Sequence, residues 1–296
     1  MRILLTGATG QIGAEVAALL GGHEVLAPSR AECDLADPPG IRAAIRSFRP
    51  ELIINPAAYT AVDKAESEPD AARAINALAP AVIAEEARRL GAPMIHFSTD
   101  YVFSGDARVP YTEADPTGPI NVYGQTKLEG EQAVAASGCA YIILRTSWVY
   151  GRQGRNFLLT MERLARARPR LTVVSDQFGT PNWARTLARA TVHLLGRSRD
   201  ELSTLSGVYH LSCRGETTWH AFAAAIVDSM HLSPAPEVVP IASNEYPTAA
   251  RRPAYGVLDS GRFERAFAFE LPEWRAALDE CQNSIRDTMR PRGSLQ

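Results

Sequence analysis

The sequence predicts a doubly wound α/β fold, a parallel sheet with helices on both faces, joined to a smaller mixed lobe. Three observations carry this expectation. Short apolar runs alternate with longer stretches of helical period through the first half of the chain. A glycine-punctuated turn follows the first apolar run, at Thr6-Gly7-Ala8-Thr9-Gly10-Gln11-Ile12-Gly13. Beyond Trp148 the alternation loosens and prolines accumulate. Strand–helix alternation gives right-handed crossovers and a parallel sheet, with ligands at the carboxyl ends of the strands.

In chain order, Ile3 to Leu5 reads as a buried strand. Residues 11–20 follow as a helix with Ile12, Val16, Leu19 and Leu20 facing inward. Glu24 to Ala27 is a second strand, residues 39–48 a helix, and Leu52-Ile53-Ile54 a third strand. Residues 71–90 read as one long helix with Ile75, Leu78, Val82, Ile83 and Leu90 on one face, weakened in its middle by Pro80. Met94 to Phe97 is the fourth strand, residues 121–136 a helix, and Tyr141 to Leu144 the fifth strand. Helical patterns then recur near 156–167, 183–196, 218–230 and 272–286, with extended pieces near 171–174, 208–211 and 237–241. The expected division is a dinucleotide-binding domain over residues 1–150, rejoined at about 180–210, and a substrate-binding lobe from 151–179 and 211–296. Pro291 to Gln296 read as a polar tail.

Composition narrows the function. With 31 basic against 33 acidic residues and a net charge of −2, no global field points to nucleic acid or an anionic membrane. An anionic substrate needs a local basic site instead. The first apolar run ends at a glycine turn, too soon for a signal peptide, and no stretch approaches the ~18 apolar residues of a membrane span. Cys33, Cys139, Cys213 and Cys281 lack metal-ligand or redox spacing, as do the six histidines. Free thiols in a reducing cytoplasm and no bound metal are expected.

The glycine turn has the spacing G-x-x-G-x-x-G between a strand and an apolar-periodic helix, the context of a dinucleotide-binding Rossmann loop. Glycine lets backbone N–H groups approach a pyrophosphate, and the helix N-terminus adds positive charge. Gly7, Gly10, Gln11 and Ile12 are the residues assigned to this loop. NAD-specific sites usually carry an acid after the second strand. Here Ser29-Arg30 stands there, and arginine pairs with a 2′-phosphate, so NADPH is the expected cofactor, with NADH a second possibility. The alternative for Arg30 is a solvated surface side chain.

Tyr123-Gly124-Gln125-Thr126-Lys127 gives Tyr-x-x-x-Lys on a helix, with both side chains on one face. A free tyrosine titrates near ~10, too high for acid–base work at neutral pH, and a neighbouring ammonium is expected to lower that value. Alone the pattern is common by chance. Its context is specific: the fourth strand ends in Ser98-Thr99-Asp100-Tyr101, which puts the Thr99 hydroxyl at the crevice, where it can polarise a carbonyl.

With these residues the chain resembles the extended short-chain dehydrogenases/reductases, and among them the dTDP-4-dehydrorhamnose reductase family. The resemblance runs over essentially the whole chain. It rests on residues 60–66 (TAVDKAE), 98–103 (STDYVF), 121–124 (NVYG), 145–150 (RTSWVY), 176–179 (DQFG) and Arg252-Pro253. It implies NADPH-dependent reduction of the C4 keto group of dTDP-4-dehydro-L-rhamnose, with Tyr123 as proton donor, Lys127 as its partner and Thr99 on the carbonyl oxygen. It further implies Asp34 and Leu35 at the adenine, and Ala58, Tyr59 and Thr60 along the cofactor path. Thr99, Asp100, Tyr101, Trp148 and Asn156 would contact the sugar, and Arg252 the diphosphate. The expected partner is thus a small nucleotide sugar, with a homodimer possible.

The sequence also departs from that family. Asn55-Pro56-Ala57-Ala58 stands where Asn-Ala or Asn-Cys is common. Some members bind magnesium between subunits through glutamates; Glu15 matches one such position, but Arg185 stands where another acid would sit. Two other readings stay open: a sugar-nucleotide epimerase or dehydratase on the same scaffold, and a non-catalytic regulatory subunit of the methionine adenosyltransferase type. Tyr101 after Asp100, where a dehydratase usually has an acid, weakens the dehydratase. Trp219 is expected to pack rather than react.

Overall fold

The computed structural model describes residues 1–289, so the polar tail expected at 291–296 lies outside the described residues. The first half runs β1 (Arg2–Leu5), α1 (Gln11–Leu19), β2 (Glu24–Leu26), α2 (Pro38–Phe48), β3 (Leu52–Asn55), α3 (Val62–Ala65), α4 (Pro69–Arg73), α5 (Ala79–Leu90), β4 (Met94–Thr99), α6 (Val122–Ala136) and β5 (Tyr141–Thr146). The second half runs β6 (Val149–Tyr150), α7 (Phe157–Ala167), β7 (Arg170–Val174), β8 (Phe178–Gly179), β9 (Asn182–Trp183), α8 (Ala184–His193), α9 (Arg199–Thr204), β10 (Gly207–His210), β11 (Thr217–Thr218), α10 (Trp219–Ser229), β12 (Glu237–Ile241), α11 (Gly261–Phe267) and α12 (Trp274–Met289).

Six strands form a parallel sheet in the order β10-β5-β4-β3-β1-β2. β3 and β4 are buried along their whole length, which is why they read as unbroken apolar runs. One face packs Ile3, Leu5, Ile54 and Phe97 against Val16 of α1 and Leu187 of α8. The other packs Leu4, Ile53, Met94 and Ile143 against Ile45 of α2, Ile83 of α5 and Val134 of α6. A separate core joins Tyr150, Leu158, Leu171, Phe222, Ile226 and Leu278, all from the second half.

The structure differs from the sequence reading in three places. The long helix expected at 71–90 is α4 and α5 joined by a π turn at Ala74–Leu78. Pro80 has no N–H for the carbonyl of Asn76, so the turn widens. That carbonyl instead presses on α6, where a Cβ on Gly130 would lie 2.1 Å from it. Second, α11, read as part of the substrate lobe, contributes Phe263 and Phe267 to the sheet-side core beside Tyr209. Its seven residues are too short a stretch for a helical period to stand out among the prolines. Third, α3 and α9, of four and six residues, show no period at all in the sequence. Among the described residues no helix is long and apolar enough to cross a membrane.

Candidate active site

The cleft at the carboxyl ends of β1, β2 and β3 begins with Gly7, whose φ of +60° suits glycine, and a Cβ there would meet the Ala57 backbone at 2.8 Å. A Cβ on Gly13 would lie 2.1 Å from the Gly7 carbonyl oxygen, so α1 can start close against the turn only with glycine at 13. Gly10 is the N-cap of α1 and no side chain caps it. The first-turn N–H groups of that helix are therefore a ready anion site. Gln11 donates from Nε2 to the Val149 carbonyl at 3.3 Å, while its Oε1 is buried without a hydrogen-bond partner.

The cleft encloses about 530 Å³ and is lined by Gly7, Ser29, Arg30, Asp34, Leu35, Ala58 and Tyr59 among others. Arg30 is exposed at its mouth, 3.7 Å from Asp34. Thr60 does not line the cleft; its carbonyl accepts from the Val62 N–H. Two buried asparagines to which sequence reasoning assigned no role brace the segments around the cleft. Asn55 Oδ1 accepts from the Thr6 hydroxyl at 2.5 Å and its Nδ2 faces His96 Nδ1 at 3.0 Å, tying β1, β3 and β4 together. Asn76 accepts from the Tyr59 N–H and donates to the Tyr59 carbonyl, fixing the chain after β3. Both partners lie far away in sequence, so only the fold reveals them.

At the end of β4, Thr99 accepts from the Tyr101 N–H at 3.2 Å and donates to Asp100 Oδ1 at 3.0 Å. α6 begins at Val122, one residue before Tyr123, with Asn121 as N-cap. Tyr123 packs edge-on against Tyr101, with ring centroids 5.5 Å apart. Burial pushes the Tyr123 phenol up to about 12, partly opposed by a hydrogen bond from Thr99. Lys127 lies one turn on, 2 % exposed, and donates to the Phe97 carbonyl at 2.6 Å. Burial holds its ammonium down to about 8, opposed by Glu131. The expectation that Lys127 would depress Tyr123 therefore does not match the geometry. The ammonium is turned onto a backbone carbonyl, and desolvation of the phenolate dominates. His96 beneath is kept neutral, first by burial and then by Lys127.

Asp100 is 3 % exposed, and burial raises its carboxyl to about 7. A Cβ on Gly256 would fall 2.5 Å from its Oδ2, so the glycine lets the chain pass against it. Burial likewise raises the Tyr101 phenol. Trp148 adopts a φ of +42° and stacks on Trp219 at 3.6 Å, with Gly179 leaving room for its ring. A non-glycine residue in that region is strained, and such strain clusters at functional sites. Trp219 both packs there and lines a second cavity of about 1190 Å³, together with Arg168, Arg170, Tyr246, Arg251 and Arg252. Arg252 is paired with Asp63 at 2.8 Å.

Asn156 is placed differently from expectation. Its Oδ1 caps α7, and its Nδ2 donates to the Gly151 and Gln153 carbonyls, so both amide hydrogens are committed to the 151–156 loop. Glu15 and Arg185 form an ion pair with each other. Among the described residues no group of three or more His, Cys, Asp or Glu is arranged to hold a metal.

A family model described as the RmlD substrate binding domain matches residues 1–286. A Burkholderia thailandensis protein named dTDP-4-dehydrorhamnose reductase is 45 % identical over 98 % of this chain and 99 % of its own. The crystal structure of a Clostridium acetobutylicum dTDP-4-dehydrorhamnose reductase superposes with a TM-score of 0.90 at 37 % identity, covering 97 % of this chain and 100 % of that one. A Bacillus anthracis dTDP-4-dehydrorhamnose reductase, crystallised in complex with NADP, gives 0.90 at 33 % identity over 96 % and 99 %.

Proposed function

The chain belongs to the RmlD substrate-binding domain family, and from that premise we propose that it is an NADPH-dependent reductase of the C4 keto group of dTDP-4-dehydro-L-rhamnose. The observation that carries the proposal is Thr99 at the end of β4 beside Tyr123 on α6, with Lys127 one turn on, in a chain whose first βα turn opens a cleft lined by Gly7, Ser29 and Arg30. The names of relatives at 45 % and 37 % identity support the same substrate. The test is loss of reduced-nicotinamide absorbance with that sugar nucleotide. Cofactor binding without turnover would instead favour a different sugar nucleotide or the regulatory-subunit reading.

The residues present fit the dinucleotide. Gly7 and Gly13 let the turn pack against the Ala57 backbone and the Gly7 carbonyl, and no side chain caps α1, so its first N–H groups are left for a phosphate. Gly10, Gln11 and Ile12 would hold the pyrophosphate at the α1 N-terminus. Asp34 and Leu35 would flank the adenine, and Ala58 and Tyr59 the ribose path. Arg30 would take the 2′-phosphate. Arg30→Ala should therefore raise KM for NADPH about tenfold and leave that for NADH nearly unchanged; parallel kinetics with both cofactors decide it, and equal effects on both would remove the 2′-phosphate role.

Bound NADPH supplies the hydride. The protein's own residues do the rest. Tyr123 gives its phenolic proton to the oxygen developing at C4, and Thr99 donates a hydrogen bond to that oxygen. Lys127 holds the nicotinamide ribose through its ammonium. Asp100 and Trp148 position the sugar, and Arg252 meets the diphosphate.

The charge on Lys127 gives a pH prediction. The group is cationic below its value of about 8 and neutral above it. The useful charge is thus present in acid and lost as pH rises. kcat/KM should fall as pH climbs through about 8, measured between about pH 6 and about pH 10. A profile flat across that range would mean that Lys127 does not act through its charge.

A further inference from the structure

We infer that Asn121 is a positioning residue that fastens the wall of the sugar-nucleotide cavity to the helix carrying Tyr123. Its side chain, 8 % exposed, makes two bonds in opposite directions. Oδ1 accepts from the Gly124 N–H at 2.8 Å and caps α6. Nδ2 donates to the Arg251 carbonyl at 2.8 Å, 130 residues away. A cap alone requires only an acceptor, which Asp, Ser or Thr supplies equally well. The amide adds the donor, and only the second bond uses it.

The segment it holds is a wall of the larger cavity: Tyr246, Pro247, Thr248, Ala250, Arg251 and Arg252 all line it. Asp63 on α3 ties the same segment, accepting from the Ala250 N–H at 3.1 Å and from Arg252 Nη2 at 2.8 Å. Glu66, just past α3, accepts from the Val122 N–H at 2.9 Å at the very start of α6. The short helix, the N-terminus of α6 and residues 250–252 therefore form one knot. Beyond it, the wall is fixed again where the Tyr255 N–H donates to the Gly105 carbonyl at 3.1 Å. Tyr246, at 63 % exposure, lines the open part of that cavity.

This arrangement sets the distance between two things the reaction must bring together. The cavity wall recognises the nucleotide diphosphate, and Tyr123, two residues after Asn121, donates the proton. The inference rests on the proposed function for both roles. Cutting the Asn121–Arg251 bond frees the wall while leaving the cap, and so leaves Tyr123 seated.

The test uses the full chain with Asn121→Asp and Asn121→Ser, which keep a cap acceptor and lose the amide N–H that reaches the Arg251 carbonyl, alongside Asp63→Asn. The expected result is a rise of about fivefold in KM for dTDP-4-dehydro-L-rhamnose and in the Kd of dTDP, the size set by one hydrogen bond. kcat and NADPH affinity should stay within about twofold, because the cap is retained. Amide hydrogen exchange over residues 243–252 should quicken in the same variants. The combination of Asn121→Asp with Asp63→Asn should raise KM by less than the product of the two single effects, since both ties hold one segment. Unchanged dTDP affinity and unchanged exchange in both Asn121 variants would overturn the inference. So would a parallel loss of kcat, NADPH affinity and melting temperature, which marks a structural role only. If the unaltered protein neither turns over the substrate nor binds dTDP, the proposed function fails, and the exchange rates alone decide whether Asn121 holds the wall.

Discussion

Tyr123→Phe is expected to lower kcat by about a thousandfold, with NADPH affinity within about twofold of the original. The substitution removes one oxygen and leaves the ring in its edge-on contact with Tyr101. α6 keeps its Asn121 cap and its packing on the sheet, so the fold has no reason to change. What disappears is the phenol beside Thr99, the residue whose hydroxyl partly opposes the effect of burial on it. The elevated value of about 12 keeps Tyr123 protonated at neutral pH, the form that a proton donor needs. Thr99 can still polarise the carbonyl, which leaves a residual rate. Single-turnover kinetics with saturating NADPH measure the step directly. A variant that retains most of its turnover would mean that the proton comes from elsewhere, with Asp100, raised to about 7, the nearest alternative acid.

Arg145→Met should be the most destabilising of the simple substitutions, by about 3–5 kcal/mol. Arg145 on β5 donates from Nε and Nη2 to the two oxygens of Glu131 at 2.9 and 2.6 Å. Both side chains are nearly inaccessible, at 6 % and 4 %. The guanidinium also lies 5.1 Å from the Phe103 ring centroid. Removing it strands a carboxylate in the layer between the sheet and α6, one turn from Lys127. By contrast, the exposed Lys64–Glu68 pair, at 68 % and 42 %, contributes little. The melting temperature should drop by about 10 °C for Arg145→Met. Adding Glu131→Gln should recover most of the loss, because the neutral amide costs less to bury than the charge. Thermal unfolding of the two variants side by side decides this; an Arg145→Met protein as stable as the original would mean that water reaches Glu131.

The glycine turn and the Tyr-x-x-x-Lys pair could be read directly because each is a local device. Gly7, Gly10 and Gly13 are read from their spacing together with the strand before and the helix after them, and residues 123 and 127 share a helix face whatever the rest of the chain does. The strands of the sheet were visible for the same reason, since strands buried on both faces need unbroken apolar runs. The role expected of Arg30 drew on position after a strand and those of Asp34, Ala58 and Tyr59 on the family resemblance, and all four line one cleft. The Lys127–Tyr123 relation was less legible. Spacing gives proximity, but the direction of an ammonium and the cost of burying a phenolate depend on what surrounds them.

The sequence by itself determined which chemistry-bearing residues stand at the strand ends and in what order, because backbone periodicity and glycine sterics act within a few residues. The tertiary structure decided what those residues lean on. Asn55 meets Thr6 across 49 residues, and Arg252 meets Asp63 across 189. The π turn before Pro80 presses a carbonyl onto Gly130, and α11 joins the sheet rather than the lobe. Asn156, expected at the sugar, closes its own loop. Each of these is a hydrogen bond or a packing contact between segments far apart in the chain. Neither partner carries a local preference that announces the other, so only the closed fold, where buried polar groups must find partners, selects them.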